Sequence, residues 1–171
     1  MKENWPEALA IILKHEGGFV NHPADPGGMT NLGVTKSVWE NWTKKPATEA
    51  DMRSLTPELV APLYKHNYWD AVRGDDLPGG VDLCVFDCAV NAGVGRAAKF
   101  LQRVVGTAQD GQIGPGTLAA VAKMQPETII AEFCHQREAF YRSLDTFATF
   151  GKGWMARLDR VEDEGREMAH G

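Results

Sequence analysis

Apolar residues near the start of the chain fall at Leu9, Ile12 and Leu13, the spacing of one helix face. The pattern predicts a first helix over residues 4–16, with Asn4 as N-cap and Pro6 in the first turn. Gly17 and Gly18 end it. Residues 19–35 break every helical period. PADPGG is turn chemistry, and the flanking FVN and NLGVT are expected to pair as short strands. Thr35 then caps a helix with Val38, Trp39 and Trp42 on one side. Thr48 and Glu49 mark a short helical turn over 48–54. Thr56-Pro57-Glu58 opens another helix, which carries Leu59, Leu63, Tyr64 and Tyr68 and ends near Trp69. RGDDLPGG reads as a loop, and VDLCVFDCAVNAG as a buried helix closed by Gly93. Four more helices follow: about 96–105, 115–124, 126 to about 146, and 152–169 after Gly151, with a turn at Gln109-Asp110-Gly111. The expected fold is mainly α, with one small β or irregular insert after the first helix and a helical subdomain behind it.

Composition narrows the picture. A chain of 171 residues holds one ordinary domain, or two small ones sharing a core. The net charge of −5 argues against a general nucleic-acid binder, which needs a basic face. Three cysteines are an odd count without zinc spacing, and Cys84 and Cys88 share a helix face as small core residues. No apolar run reaches membrane-spanning length, so no membrane insertion is expected. The N-terminal segment has no basic flank and no small-residue cleavage site, and it is expected to remain as a structural helix rather than a signal peptide.

The insert carries the chemistry. HEGGFVNHPADPGGMTNLGVT sets Glu16 on the last turn of a rigid helix, with Asp25 and Thr30 in the loop behind it. Glycoside hydrolysis needs a protonated acid at the leaving oxygen, and a second group that attacks the sugar or orients a water. Glu16, with Ile12 and Phe19 as apolar neighbours, suits the acid. Asp25 and Thr30 suit the water. The glycines would let a bulky polysaccharide approach the backbone. Taken singly, each residue has a plainer reading: a surface charge, an Asx turn before Pro26-Gly27, and a strand threonine.

The same stretch resembles the signature of glycoside hydrolase family 108, the peptidoglycan-cleaving muramidases common in phages and prophages: E-G-G-aromatic, then D-P-G-G-x-T-x-x-G-[VI]-T. The order Glu, Asp, Thr is also similar to the triad of phage-type lysozymes, with Asp to Thr one residue shorter here. The resemblance implies Glu16 as the catalytic glutamate, with Asp25 and Thr30 as its partners. YKHNYWDAV and FDCAVNAGVGRAAKFLQ resemble the family's catalytic half. DGQIGPGTLAAV resembles the small peptidoglycan-binding-like unit that follows it. A lysozyme-like catalytic region over 1–95 and a helical subdomain over 96–171 are therefore expected. As architecture alone, Asp110-Gly111 makes a tight turn, Ile113 packs inward and Pro115 opens a helix.

Further candidates are Tyr64, Tyr68 and Trp69, which could stack on sugar rings or fill the core. Asn91 could bind an N-acetyl group or cap a helix. Asp87, in an apolar helix, needs partners and reads as an internal hydrogen-bond anchor rather than a second acid. Arg73, Arg96 and Lys99 are surface cations that could attract carboxylates. His15, His22 and His66 do not form HExxH, so no metal and no cofactor is expected. The expected function is hydrolysis of the β-1,4 bond between N-acetylmuramic acid and N-acetylglucosamine, of endolysin type, with inversion. The expected partner is bacterial peptidoglycan, reached through a holin, a secretion route or lysis from the cytoplasm. The rivals are a lytic transglycosylase using Glu16 alone and a non-catalytic wall binder of the secretion-activator kind.

Overall fold

The structure is a computed structural model that describes residues 1–21 and 28–171. Helices dominate, and a small antiparallel sheet of order β1-β2-β3 follows the first helix. The described residues form two compact units, one of residues 7–67 and the other of residues 1–6 with 68–171.

The first unit begins within α1 (Trp5–Glu16), whose buried positions are Ala8, Leu9 and Ile12. Gly17, at φ +77°, ends the helix. The sheet comprises β1 (Val20–Asn21), β2 (Met29–Asn31) and β3 (Val34–Thr35). NLGVT is thus not one strand. It folds back on itself, because Leu32 and Gly33 both take positive φ, +52° and +77°, as a two-residue hairpin turn requires. Thr35 caps α2 (Lys36–Thr43) by accepting from the Val38 N–H. Thr48 and Asp51 form a reciprocal capping box at α3 (Glu49–Arg53). Thr56 caps α4 (Pro57–Tyr64). The helix expected to run to Trp69 changes character at Lys65. Pro62 is accommodated inside α4, and residues Lys65–Trp69 continue as a wider π turn. Asn31, buried, ties β2 to α3 by donating Nδ2–H to the Met52 carbonyl at 2.9 Å.

The second unit is built around α5 (Val81–Ala92), buried from Val81 to Ala89. It packs against α6 (Val94–Val105), α8 (Pro126–Arg142) and α9 (Phe147–His170), while α7 (Pro115–Ala122) packs on α6. Trp5, Trp69 and Phe86 form a ring cluster with centroids 5.4–5.6 Å apart. Asn4 ends a 3-10 turn (Lys2–Asn4) that leads directly into α1. Its amide donates to Asp82, buried at the start of α5, which also receives the Met1 ammonium and the backbone N–H groups of Gly80 and Leu83. Gly151 does not precede the last helix but lies inside it, where the Phe147 ring leaves no space for a Cβ. Gln102 organises the Asp110-Gly111 turn. Its Nε2 donates to Asp110 and to the Gln112 carbonyl, and its Oε1 accepts from the Gly111 N–H.

Asp87 is fully buried and ion-paired to Arg137 at 2.6 Å and Arg157 at 2.7 Å. Burial pushes its carboxyl pKa up, but the two guanidinium groups outweigh burial and hold it below the ordinary value.

Candidate active site

Glu16 is the last residue of α1 and is half-buried. A helix end is a stiff mount. The hairpin turn closes onto the glutamate from the far end of the sheet. A Cβ built on Gly33 would stand 2.8 Å from Glu16 Cγ and 2.9 Å from Glu16 Cβ, and closer still to the Tyr64 hydroxyl. Only glycine fits there, for its φ and for its lack of a side chain. By contrast, a Cβ on Gly17, Gly18 or Gly28 would meet nothing within 4 Å among the described residues. The backbone at Gly33 is therefore a tight buttress.

Tyr64 fixes that buttress. Its hydroxyl donates to the Leu32 carbonyl at 2.7 Å, anchoring a turn residue in the left-handed region that leucine seldom adopts. Tyr64 is 1% exposed, so its ring offers no face to a sugar. Trp69 is likewise fully buried, and its indole N–H donates to Asp75 at 2.8 Å. Both rings, weighed as stacking residues from the sequence, are core side chains. Tyr68 is half-buried, and Asn91 is exposed at the end of α5.

Thr30 is the middle residue of the central strand, paired across from Val20 on one side and Thr35 on the other. It is half-buried, and cross-strand bonding on both flanks holds its backbone in place. Asp25 and His22 lie outside the described residues. Phe19 lies under the Arg53 guanidinium, 4.1 Å from the ring centroid. Among the described residues, no group of three or more His, Cys, Asp or Glu could hold a metal ion.

The sequence left Gly33 and Leu32 without a role beyond strand formation. The available signal was weak, because Leu-Gly lacks the Asn-Gly or Asp-Gly preference of such turns.

The structure thus sets Glu16 on a rigid helix end, against the Gly33 turn of a hairpin whose first strand bears Thr30. The chain belongs to glycosyl hydrolase family 108: residues 9–93 match the Glycosyl hydrolase 108 model, and residues 96–159 match a Predicted Peptidoglycan domain. Among solved structures, Brucella abortus SagA is similar at 43% identity, with a TM-score of 0.90, covering all of this chain and 98% of that one. No curated protein matches the chain. The protein is therefore a glycoside hydrolase in kind, and one that acts on peptidoglycan. Among the described residues, no helix is long and apolar enough to cross a membrane.

Proposed function

We infer that this protein is an N-acetylmuramidase, cleaving the β-1,4 bond between N-acetylmuramic acid and N-acetylglucosamine in the bacterial cell wall. The observation that carries the reading is the clamped glutamate: Glu16 at a helix end, held by Gly33 of the hairpin whose first strand bears Thr30. Glu16 is the general acid. It gives its proton to the glycosidic oxygen as the bond to the anomeric carbon breaks. Asp25, with the Thr30 hydroxyl, holds a water on the opposite face of the sugar and takes its proton as the water oxygen bonds to that carbon. The product is a reducing muramic end of inverted configuration. Rigid mounting matters here, because a catalytic group displaced by about 1 Å can cost roughly a hundredfold in rate.

The test is the chemistry of the new ends. Purified peptidoglycan is digested, and the fragments are identified by mass spectrometry, with NMR of the first-formed anomer. Reducing N-acetylmuramic ends with inverted anomers are expected. Anhydro-muramic ends would instead make the protein a lytic transglycosylase and leave Asp25 without its role. N-acetylglucosamine at the reducing end would place the cleaved bond on the other side of the muramic acid.

A further inference from the structure

The unit formed by residues 1–6 and 68–171 holds a cavity of about 280 Å³ that the chemistry assigned to Glu16 does not use. Its walls are Asn91, Arg96, Phe140, Tyr141, Leu144 and Trp154, with Ala92. Much of the lining is apolar. The Tyr141 and Trp154 rings lie 5.4 Å apart, and Phe150 stacks on Trp154 at 5.8 Å with an interplanar angle of 30°. Phe150 is 54% exposed, so an aromatic shelf runs from the cavity into solvent.

Two polar side chains of the cavity offer free donors, and a buried relay makes one of them so. Arg137 Nε donates to the Tyr141 hydroxyl oxygen at 2.7 Å. A guanidinium has no acceptor, so the Tyr141 hydrogen must go to its other partner, Asn91. The Asn91 atom receiving it is Oδ1, which leaves the two Nδ2 hydrogens to act outward. Arg137 is itself locked by Asp87, so the relay cannot reverse. The second polar group is Arg96. Its guanidinium lies 4.1 Å over the Phe140 ring, and its hydrogen bond to the Ala92 carbonyl is long, at 3.4 Å. Most of its five donors remain available. Among the described residues, no carboxylate lines the cavity.

A cationic pocket with aromatic walls, whose unspent side-chain hydrogens lie on Arg96 and Asn91, selects an anionic acceptor carried on an apolar stem. The glycan backbone of peptidoglycan is neutral where each muramic acid is joined to peptide, whereas the peptide stem ends in carboxylates. We propose that this cavity binds a carboxylate of the peptidoglycan stem peptide, with Arg96 pairing the charge and the Asn91 amide donating beside it. The proposal rests on the reading of peptidoglycan as substrate. It gives the enzyme a second attachment point, which raises the effective concentration of glycan at Glu16.

The test uses the full chain carrying Glu16→Gln, so that no turnover intrudes. It is titrated calorimetrically with the free tetrapeptide L-Ala-γ-D-Glu-meso-diaminopimelyl-D-Ala, with the same peptide amidated at its carboxylates, and with chitotetraose. The free peptide is expected to bind at least tenfold tighter than the amidated one. Arg96→Gln and Asn91→Asp, each added to this background, should remove at least tenfold of that affinity. Asn91→Asp keeps an acceptor for Tyr141 and replaces only the outward donor with an anion, so an unchanged melting curve separates charge from folding. Equal affinity for the two peptides, no peptide binding, or binding that survives both substitutions overturns the proposal. Chitotetraose separates this outcome from the hydrolase reading. Glycan bound while peptide is ignored removes the stem site alone. Peptide bound by a protein that hydrolyses no wall keeps the stem site and removes the muramidase.

Discussion

Gly33 stands against the side chain of Glu16 with no room for even one more carbon: a Cβ on the glycine would lie 2.8 Å from Glu16 Cγ. The glutamate is therefore positioned from two sides, by the helix that carries it and by the turn that touches it. Gly33→Ala should disturb both the turn and the acid. A left-handed L-residue costs roughly 1–2 kcal/mol, which in a chain of this size lowers Tm by about 2–8 °C. On the proposed mechanism, kcat should fall at least tenfold, more than the loss of stability explains at a temperature where the variant is folded. Circular dichroism melts and peptidoglycan turnover check the two effects separately.

Tyr64 acts on the same turn from behind. Tyr64→Phe deletes the hydrogen bond to the Leu32 carbonyl and leaves the ring in place. The loss should be about 0.5–1.5 kcal/mol, or a Tm lower by about 1–6 °C. If the turn positions Glu16, kcat falls while KM is retained. A variant with wild-type kcat would show that the turn holds its place without Tyr64.

These two residues also show what was legible in the sequence. The helix starts at Thr35, Thr48 and Thr56 were readable because capping is local: the hydroxyl, the N–H it accepts from and the proline or acidic neighbour lie within four residues. Gly93 as a helix end was readable for the same reason. Position by position, long-range partners decide the rest. The tie from the Asn4 amide to Asp82, seventy-eight residues away, has no local signal. Gly151 looks like a helix break until the Phe147 ring fills the space beside it. Tyr64 and Trp69 look like sugar platforms until Leu32 and Asp75 claim their polar ends and the core takes their faces. That Glu16 ends a helix and Thr30 sits in a strand was legible because glycine and turn signals are local, whereas the buttress at Gly33 depends on how that stretch folds back.

The buried Asp87 group sets an acid limit on stability. Its folded carboxyl sits below the ordinary value, so its contribution is present above the unfolded carboxylate pKa of about 4 and is lost as pH falls through the lower, folded value. Asp87→Asn leaves Arg137 and Arg157 without their carboxylate and should cost roughly 3–5 kcal/mol at neutral pH, a Tm loss of about 6–20 °C. Below pH 4 the gap between variant and wild type should narrow. Thermal melts across pH 2–7 read both effects, and a constant gap would mean that Asp87 is not the group titrating.

The three cysteines should be silent in the folded protein. Cys84, Cys88 and Cys134 are free and buried. Burial pushes Cys88 up to about 11, and a contact with Cys134, together with burial, raises Cys84. A thiol in that state offers little thiolate. An aromatic disulfide reagent should label none of them in the native chain and all three in denaturant. Rapid native labelling would show that α5 and α8 open readily.

The central claim is that Glu16 donates the proton, and the rate of reducing-end release from purified peptidoglycan, wild type against Glu16→Gln, tests it most directly. Glutamine keeps the shape of the side chain beside Gly33 and removes its acid. The account predicts a loss of roughly 10²–10⁴-fold, the range that general acid catalysis supplies, with an unchanged melting curve. A variant that hydrolyses the wall at the wild-type rate contradicts it.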